Sequence, residues 1–135
     1  MNITNIRKAI YTIGATVSGS GFYYEEAPDS TNYPYIVYHL IDSVHQRIAV
    51  GTSTDDILIQ FNIIDRRIST NGKKISSAPI EIVADDLQNK FDVASIGIDG
   101  FGTLKFNKTL ITPSTIIEDG NYWQVVVRYN LLIAQ

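Results

Sequence analysis

Ile3, Ile6, Ile10, Ile13 and Val17 recur at spacings of three and four, the repeat that lines one face of an α-helix. The spacing predicts an amphipathic helix over Ile3 to Val17, with Asn2 or Thr4 as its N-cap and Ser18-Gly19-Ser20-Gly21 as its end. Gly14 falls inside it, where glycine costs about 1 kcal/mol relative to alanine. The period then changes. Phe22 to Glu26, and Tyr35 to Asp42 or beyond, are aromatic and β-branched runs separated by Pro28, Asp29, Ser30 and Asn32, which reads as strand, turn, strand. Pro34 has no backbone donor, so it suits the first residue of the second strand.

A polar, glycine-containing connector is expected from Gln46 to Thr54, followed by a third strand from Asp56 to Asp65. Ile57, Ile59, Phe61 and Ile63 share one face of it, and Leu58, Gln60 and Asn62 share the other. The first face belongs to a core; the second is partly wet or lines an interface. Arg66 to Ser76 is polar and carries Asn71-Gly72, a loop or a short hairpin extension. Ser77 then reads as an N-cap, with Pro79 and Glu81 in the first turn and Ile80, Val83, Ala84, Leu87 and Phe91 as a helical stripe. Beyond Gly97, Gly100 and Gly102, Thr103 to Ile111 alternates as a strand and Pro113 to Asn121 connects it to a final strand, Tyr122 to Ile133. The apolar face of that strand is Trp123, Val125, Val127, Tyr129, Leu131 and Ile133. The order α-β-β-β-α-β-β predicts an α+β fold: a mainly antiparallel sheet of about five strands with two amphipathic helices packed on one face.

Residues 1–135 fit one domain, large enough to bury roughly 70% of the unfolded chain's surface. A hydrophobic fraction of 44% and a charged fraction of 19% are ordinary for a folded protein. The formal net charge is −3, and the basic residues are scattered except for Arg66-Arg67 and Lys73-Lys74, so a phosphate-neutralising stripe is not expected. The absence of cysteine excludes disulfides, thiolate zinc sites and thiol nucleophiles. Arg7 and Lys8 precede apolar residues, but Tyr11, Thr12 and Thr16 interrupt any signal-peptide core. No run approaches the ~20 apolar residues of a membrane span. A soluble, cytoplasmic protein is expected.

Candidate chemistry is sparse. His39 and His45 are the only histidines, neither has a partner at metal-ligand spacing, and no serine sits in a nucleophile elbow. Asp55-Asp56, Asp85-Asp86 and Glu118-Asp119 are adjacent pairs, whose side chains diverge on a strand or a helix and make poor dyads. An enzyme would need distant groups brought together, such as His39 with Asp42 or Glu118. Ile98-Asp99-Gly100-Phe101-Gly102 lacks the lysine and strand-to-helix context of a phosphate loop and reads as a turn. No catalytic residue, metal or cofactor is expected. Tyr23, Tyr24, Tyr33, Tyr35 and Tyr38 lack the interleaved basic residues of a nucleic-acid platform; they suit core packing or protein contact.

The opening helix, the strand ending near Ala27-Pro28, and the aromatic-proline-tyrosine start of the next strand in Tyr33-Pro34-Tyr35-Ile36-Val37 resemble the tail-terminator (tail-completion) proteins of long-tailed bacteriophages. The Ile57 to Ile64 strand, the Ile80 to Phe91 helix and the Tyr122 to Ile133 strand follow in the same order. The resemblance implies a non-enzymatic virion protein, assembled in the host cytoplasm, that forms a ring of its own copies, typically a hexamer. Such a ring caps the head-proximal end of the tail tube, stops tube growth and supplies the surface that joins the head. Its implied partners are the tail tube protein and the head-tail connector or neck protein, with DNA passing through the channel without sequence-specific binding. Two polar arms are the candidate contacts, one with Arg47, Ile48 and Val50 and the other with Arg66, Arg67, Lys73 and Lys74. Each is equally readable as a solvated loop. A related neck or head-completion protein and a small ligand-binding α+β domain remain as alternatives.

Overall fold

The computed structural model describes residues 3–17, 20–28, 32–49, 52–69, 71–96, 104–118 and 120–134. Helix α1 (Ile3–Gly14) is followed by strands β1 (Gly21–Tyr24), β2 (Tyr35–Ala49) and β3 (Thr52–Arg66), and by helix α2 (Ala78–Asp92). Strands β4 (Ser95–Ile96), β5 (Leu104–Ile111), β6 (Thr115–Ile117) and β7 (Tyr122–Ala134) complete the order. The sheet runs β1-β2-β3-β7-β5-β4, with β6 paired to the start of β7. Among the described pairings β1 with β2 is parallel and the rest are antiparallel.

This is the expected α+β architecture, with seven strands among the described residues instead of about five. The additions, β4 and β6, are two and three residues long, too short to display a period of two. A larger correction concerns the polar connector expected from Gln46 to Thr54. β2 runs to Ala49 and β3 begins at Thr52, with Gln46 opposite Thr54 and Arg47 opposite Ser53. Backbone pairing needs no apolar face, so the ladder continues where hydrophobic alternation stops. The pairing shifts between Leu40/Ile59 and Asp42/Leu58, which makes Ile41, 46% exposed, the extra residue of a β-bulge.

β3 sets the core. Ile57, Ile59, Phe61 and Ile63 are buried, and they pair in register with Leu131, Tyr129, Val127 and Val125 of β7, all buried on the same face. Ile6 and Ile10 of α1 and Ile80, Val83, Ala84, Leu87 and Phe91 of α2 join them in one cluster. Alternate strand residues point to opposite faces, so both helices cover one side of the sheet and leave the other without a helix. Phe61 lies within 6.1 Å, ring centre to ring centre, of Phe22, Tyr38, Phe91 and Tyr129.

Local details depart from expectation in small ways. α1 stops at Gly14, although Val17 beyond it is still buried. Thr4 lies inside the first turn, and Asn2 is outside the described residues. Ser77 occupies the N-cap position of α2 but makes no capping bond; its hydroxyl donates to Glu81 Oε1 at 3.0 Å. Pro34 lies just before β2, joined to Tyr33 by a cis peptide. Arg66 to Ser76 forms a small hairpin, with Ile68 bridged to Lys74 and Gly72 at φ +82°, a backbone that glycine adopts without strain. The turn expected at Ile98 to Gly102 lies outside the described residues.

Gly14 sits directly over the Phe22 ring, where an added Cβ would stand 2.1 Å from Cζ. That ring is pinned by its stack on Tyr38, 4.7 Å between centres. Gly14→Ala gains about 1 kcal/mol of helix propensity, but overpacking a fixed ring costs about 1–3 kcal/mol. The variant is expected to be less stable than the parent in urea denaturation, against the usual direction of a glycine-to-alanine change in a helix.

Candidate assembly interface

On the helix-free face the register places Gln60 opposite Arg128, Asn62 opposite Val126 and Leu58 opposite Asn130. Arg128 Nε donates to Gln60 Oε1 at 2.8 Å, and Gln60 Nε2 donates to Asn62 Oδ1 at 2.8 Å. This stripe crosses the middle of the sheet. Leu58, Ile64 and Val126 flank it half-buried, Val37 is 7% exposed and Leu110 is 39% exposed. Asn130 Oδ1 is buried and has no hydrogen-bond partner among the described residues. A mixed surface of internally paired carboxamides, one guanidinium and aliphatic flanks is suited to protein contact, where polar groups fix register and apolar area supplies affinity.

At one end of this face stands an aromatic cluster. Tyr33 packs on Tyr35 and Tyr122, with ring centres 5.2 and 5.9 Å apart, and the Arg66 guanidinium lies 4.5 Å from the Tyr33 ring centre. Burial pushes the Tyr35 phenol above its ordinary pKa, while the hydrogen bond with Tyr33 is the main cause of the upward shift at Tyr122. Tyr38, by contrast, is a core residue. The five tyrosines of the sequence cluster thus divide between core, surface cluster and sheet edge.

The Arg66 to Ser76 hairpin is fastened to the subunit. Arg67 donates its backbone N–H to Asn121 O at 2.9 Å and a guanidinium N–H to Gly120 O at 3.0 Å. Trp123 Nε1 donates to Ile75 O at 2.9 Å. Lys73 and Lys74 near the tip are exposed. Asp65, 4% exposed, lies at the end of the core face and accepts the Arg66 N–H at 2.8 Å. Burial pushes its carboxyl above the ordinary range, opposed in part by that bond.

Of the candidate contact residues, Arg66, Arg67, Lys73 and Lys74 therefore gather at one end of β3. Arg47 and Ile48 lie in β2 near the other end, since Arg47 pairs with Ser53, and Val50 is outside the described residues. A strand of 15 residues spans about 50 Å at ~3.3 Å per residue, so the two sets form separate surfaces. The Arg128–Gln60–Asn62 stripe escaped the sequence reading because nothing in one strand's alternation tells which residue of a distant strand stands opposite.

Groups with catalytic potential are not convergent. His39 is half-buried on the helix-free face opposite Gln60. Among the described residues no three His, Asp or Glu side chains gather as a metal site. Tyr129 donates to Asp92 Oδ1 at 2.7 Å, and Lys108 reaches Asp92 Oδ2 at 3.4 Å. Burial, then the bond to Asp92, pushes the Tyr129 phenol far above its ordinary pKa, so this hydroxyl holds its proton as a structural tie from β7 to the end of α2. No described helix is long and apolar enough to cross a membrane.

No protein-family model matches the chain, and no curated protein matches its sequence. Among solved structures, the fold is similar to that of a chain in the virion of a native gene transfer agent particle. The TM-score is 0.63, with 9% sequence identity, covering 98% of this chain and 91% of that chain. At that identity the likeness is one of fold.

Two measurements follow from the geometry. Exposed cation–π contacts contribute about 0.5–1 kcal/mol and hydrogen bonds from charged donors about 1.5–3 kcal/mol. Arg66→Ala combined with Arg67→Ala is therefore expected to lower subunit stability by about 1–3 kcal/mol in denaturant unfolding, because both side chains are engaged within the subunit. For Asp65, a raised folded-state pKa means the native state keeps its proton after the unfolded chain has lost it. Its contribution to stability falls as pH rises from ~4, the ordinary aspartate value, through the folded pKa, and is flat beyond. Asp65→Asn, which keeps the acceptor, is expected to flatten that part of the stability-pH curve, and an unchanged curve would contradict the assignment.

Proposed function

We propose that this chain is a virion structural protein that caps the head-proximal end of a phage-type tail tube as a ring. The observation that carries the reading is a likeness of fold over nearly the whole of both chains to a virion component, in a chain whose element order resembles the tail terminators. The reading assigns no catalysis and no cofactor.

A closed ring needs a heterologous contact, in which one surface meets a different surface of the next copy and the rotation closes. The subunit supplies candidates on opposite flanks. β1 pairs with β2 only along Tyr35 to Tyr38, so β2 beyond Tyr38 carries an outer edge with no partner strand among the described residues. The far flank of the sheet is β5 with the short β4, and the helix-free face lies between. In this reading the distal end of β2 and β3, with Arg47 and Ile48 in β2 and Val50 next in sequence, reaches the neighbouring copy. The hairpin with Arg66, Arg67, Lys73 and Lys74 faces the tube or the neck protein, and its exposed lysines meet an acidic surface. Contacts weak in one subunit then act together, since a docked ring holds its remaining subunits at high effective concentration. A net charge of −3 per copy lets DNA pass without the counterion-releasing contacts that would retain it.

Native mass measurement and negative-stain imaging of the protein, alone and mixed with tail tubes, test this reading. Closed rings, six copies in the expected case, should appear at one end of each tube, and tubes should stop elongating. Monomers beside uncapped, growing tubes would overturn it. Lys73→Glu with Lys74→Glu, both on exposed side chains, should leave subunit unfolding within ~0.5 kcal/mol of the parent while weakening capping at least tenfold.

A further inference from the structure

A cleft of about 630 Å³ opens between α1 and the edge strand β1, on the flank opposite β5. Its size is that of a ligand site. The adjacent Arg7 and Lys8, with Tyr11 one turn on, line it from the helix, and Phe22, Tyr23 and Tyr24 line it from the strand. Because Tyr23 and Tyr24 point to opposite faces of the sheet, the cleft wraps around the strand's outer edge. The Arg7 guanidinium stands 3.7 Å from the Tyr24 ring centre. Its Nε is buried without a hydrogen-bond partner among the described residues, a costly state for a charged donor. Lys8 is exposed at the rim.

The outer backbone edge of β1 pairs with no strand among the described residues. Glu25 N–H donates to Tyr38 O at 3.0 Å, so in the parallel ladder alternate residues turn toward β2, and the N–H groups of Phe22 and Tyr24 turn outward. The Tyr24 carbonyl is taken by Glu26 N–H at 2.7 Å, which leaves the Phe22 and Tyr24 N–H groups and the Phe22 carbonyl facing outward. We propose that the α1–β1 cleft binds an extended acidic peptide segment of a partner protein, added as a strand to β1, with its carboxylates on Arg7 and Lys8.

Charge and backbone chemistry choose this occupant. The outward N–H and C=O groups of an edge strand are satisfied by a peptide's backbone, and the cleft's two charged lining residues, Arg7 and Lys8, are both cations, which suits carboxylates. Nucleic acid also stacks on tyrosine, but two cations neutralise only about two phosphates, and it has no backbone amide to pair with a strand edge. The inference goes beyond tube capping and does not depend on it, since the cleft is complete within one subunit.

The test uses the full chain and a fluorescein-labelled peptide of alternating glutamate and valine, read by fluorescence anisotropy. Comparison probes are a lysine-valine peptide, the acidic peptide N-methylated along the edge that would pair, and an oligothymidylate of similar charge. The acidic peptide should bind at least tenfold tighter than each of the three, and Arg7→Gln or Lys8→Glu should weaken it at least fivefold. Hydrogen exchange at the Phe22 and Tyr24 amides should slow in the complex. No binding, equal binding of the lysine peptide, indifference to N-methylation, or preference for the oligothymidylate would each overturn the proposal. If Arg7→Gln does not fold, Lys8→Glu, on an exposed side chain, carries the comparison. Ring formation is read separately by native mass, so capping can fail while the cleft binds, or the reverse.

Discussion

The structure depends on the burial of one face of β3. Its four core residues sit beneath both helices and opposite four buried residues of β7, and Phe61 joins the aromatic groups that reach both helices. Through Phe22 the cluster meets α1 at Gly14; through Phe91 it meets α2, and through Tyr129 it meets β7. Aromatic pairs at these separations add to the ordinary hydrophobic gain of burial. Shifting β3 by one residue would turn Leu58, Gln60 and Asn62 into the core and expose Ile57, Ile59, Phe61 and Ile63. That penalty fixes the register of the whole sheet, and with it the positions of the hairpin, the polar stripe and the edge cleft.

Much of this was legible because burial leaves a period. The α2 stripe from Ile80 to Phe91 and the alternating faces of β3 and β7 could be read directly, since each buries one side against a continuous core. The distal ribbon was not legible, because Gln46-Arg47 and Ser53-Thr54 pair through backbone groups common to all residues. The short β6 was hidden for the same reason. Arg66 and Arg67 looked like free loop charges, yet one stacks on Tyr33 and the other bonds Gly120 O, partners 33 and 53 positions from it in sequence terms that no local pattern encodes. Gly14 read as a weakness in a helix; its reason is the ring beneath it.

The division of labour between the two faces of the sheet follows from the same constraint. The covered face is uniformly apolar among its described residues apart from its ends, where Asp65 and the Asp92–Lys108–Tyr129 group sit. The other face, relieved of packing two helices, carries amides, a guanidinium and tyrosines alongside aliphatic groups. Surfaces of that composition hold a partner in one orientation, because each polar group accepts few geometries. The fold therefore separates two kinds of surface: one side is specified by volume, and the other presents directional hydrogen-bonding groups.

The position of β3 in the sheet also governs the order in which the molecule can form. One neighbour, β2, precedes it across a short turn, but the other is β7, and Gln60 and Arg128 are 68 residues apart. During synthesis the β2–β3 hairpin emerges with an edge that β7 pairs later and an apolar face shared by α1, made before it, and α2, made after it. Non-local pairing of this kind is slow to form, and unpaired edges next to apolar surface invite aggregation while they wait. α2, made between the two strands, packs Phe91 on Phe61 at 4.7 Å between ring centres, so part of the cover of β3 precedes β7 in the chain.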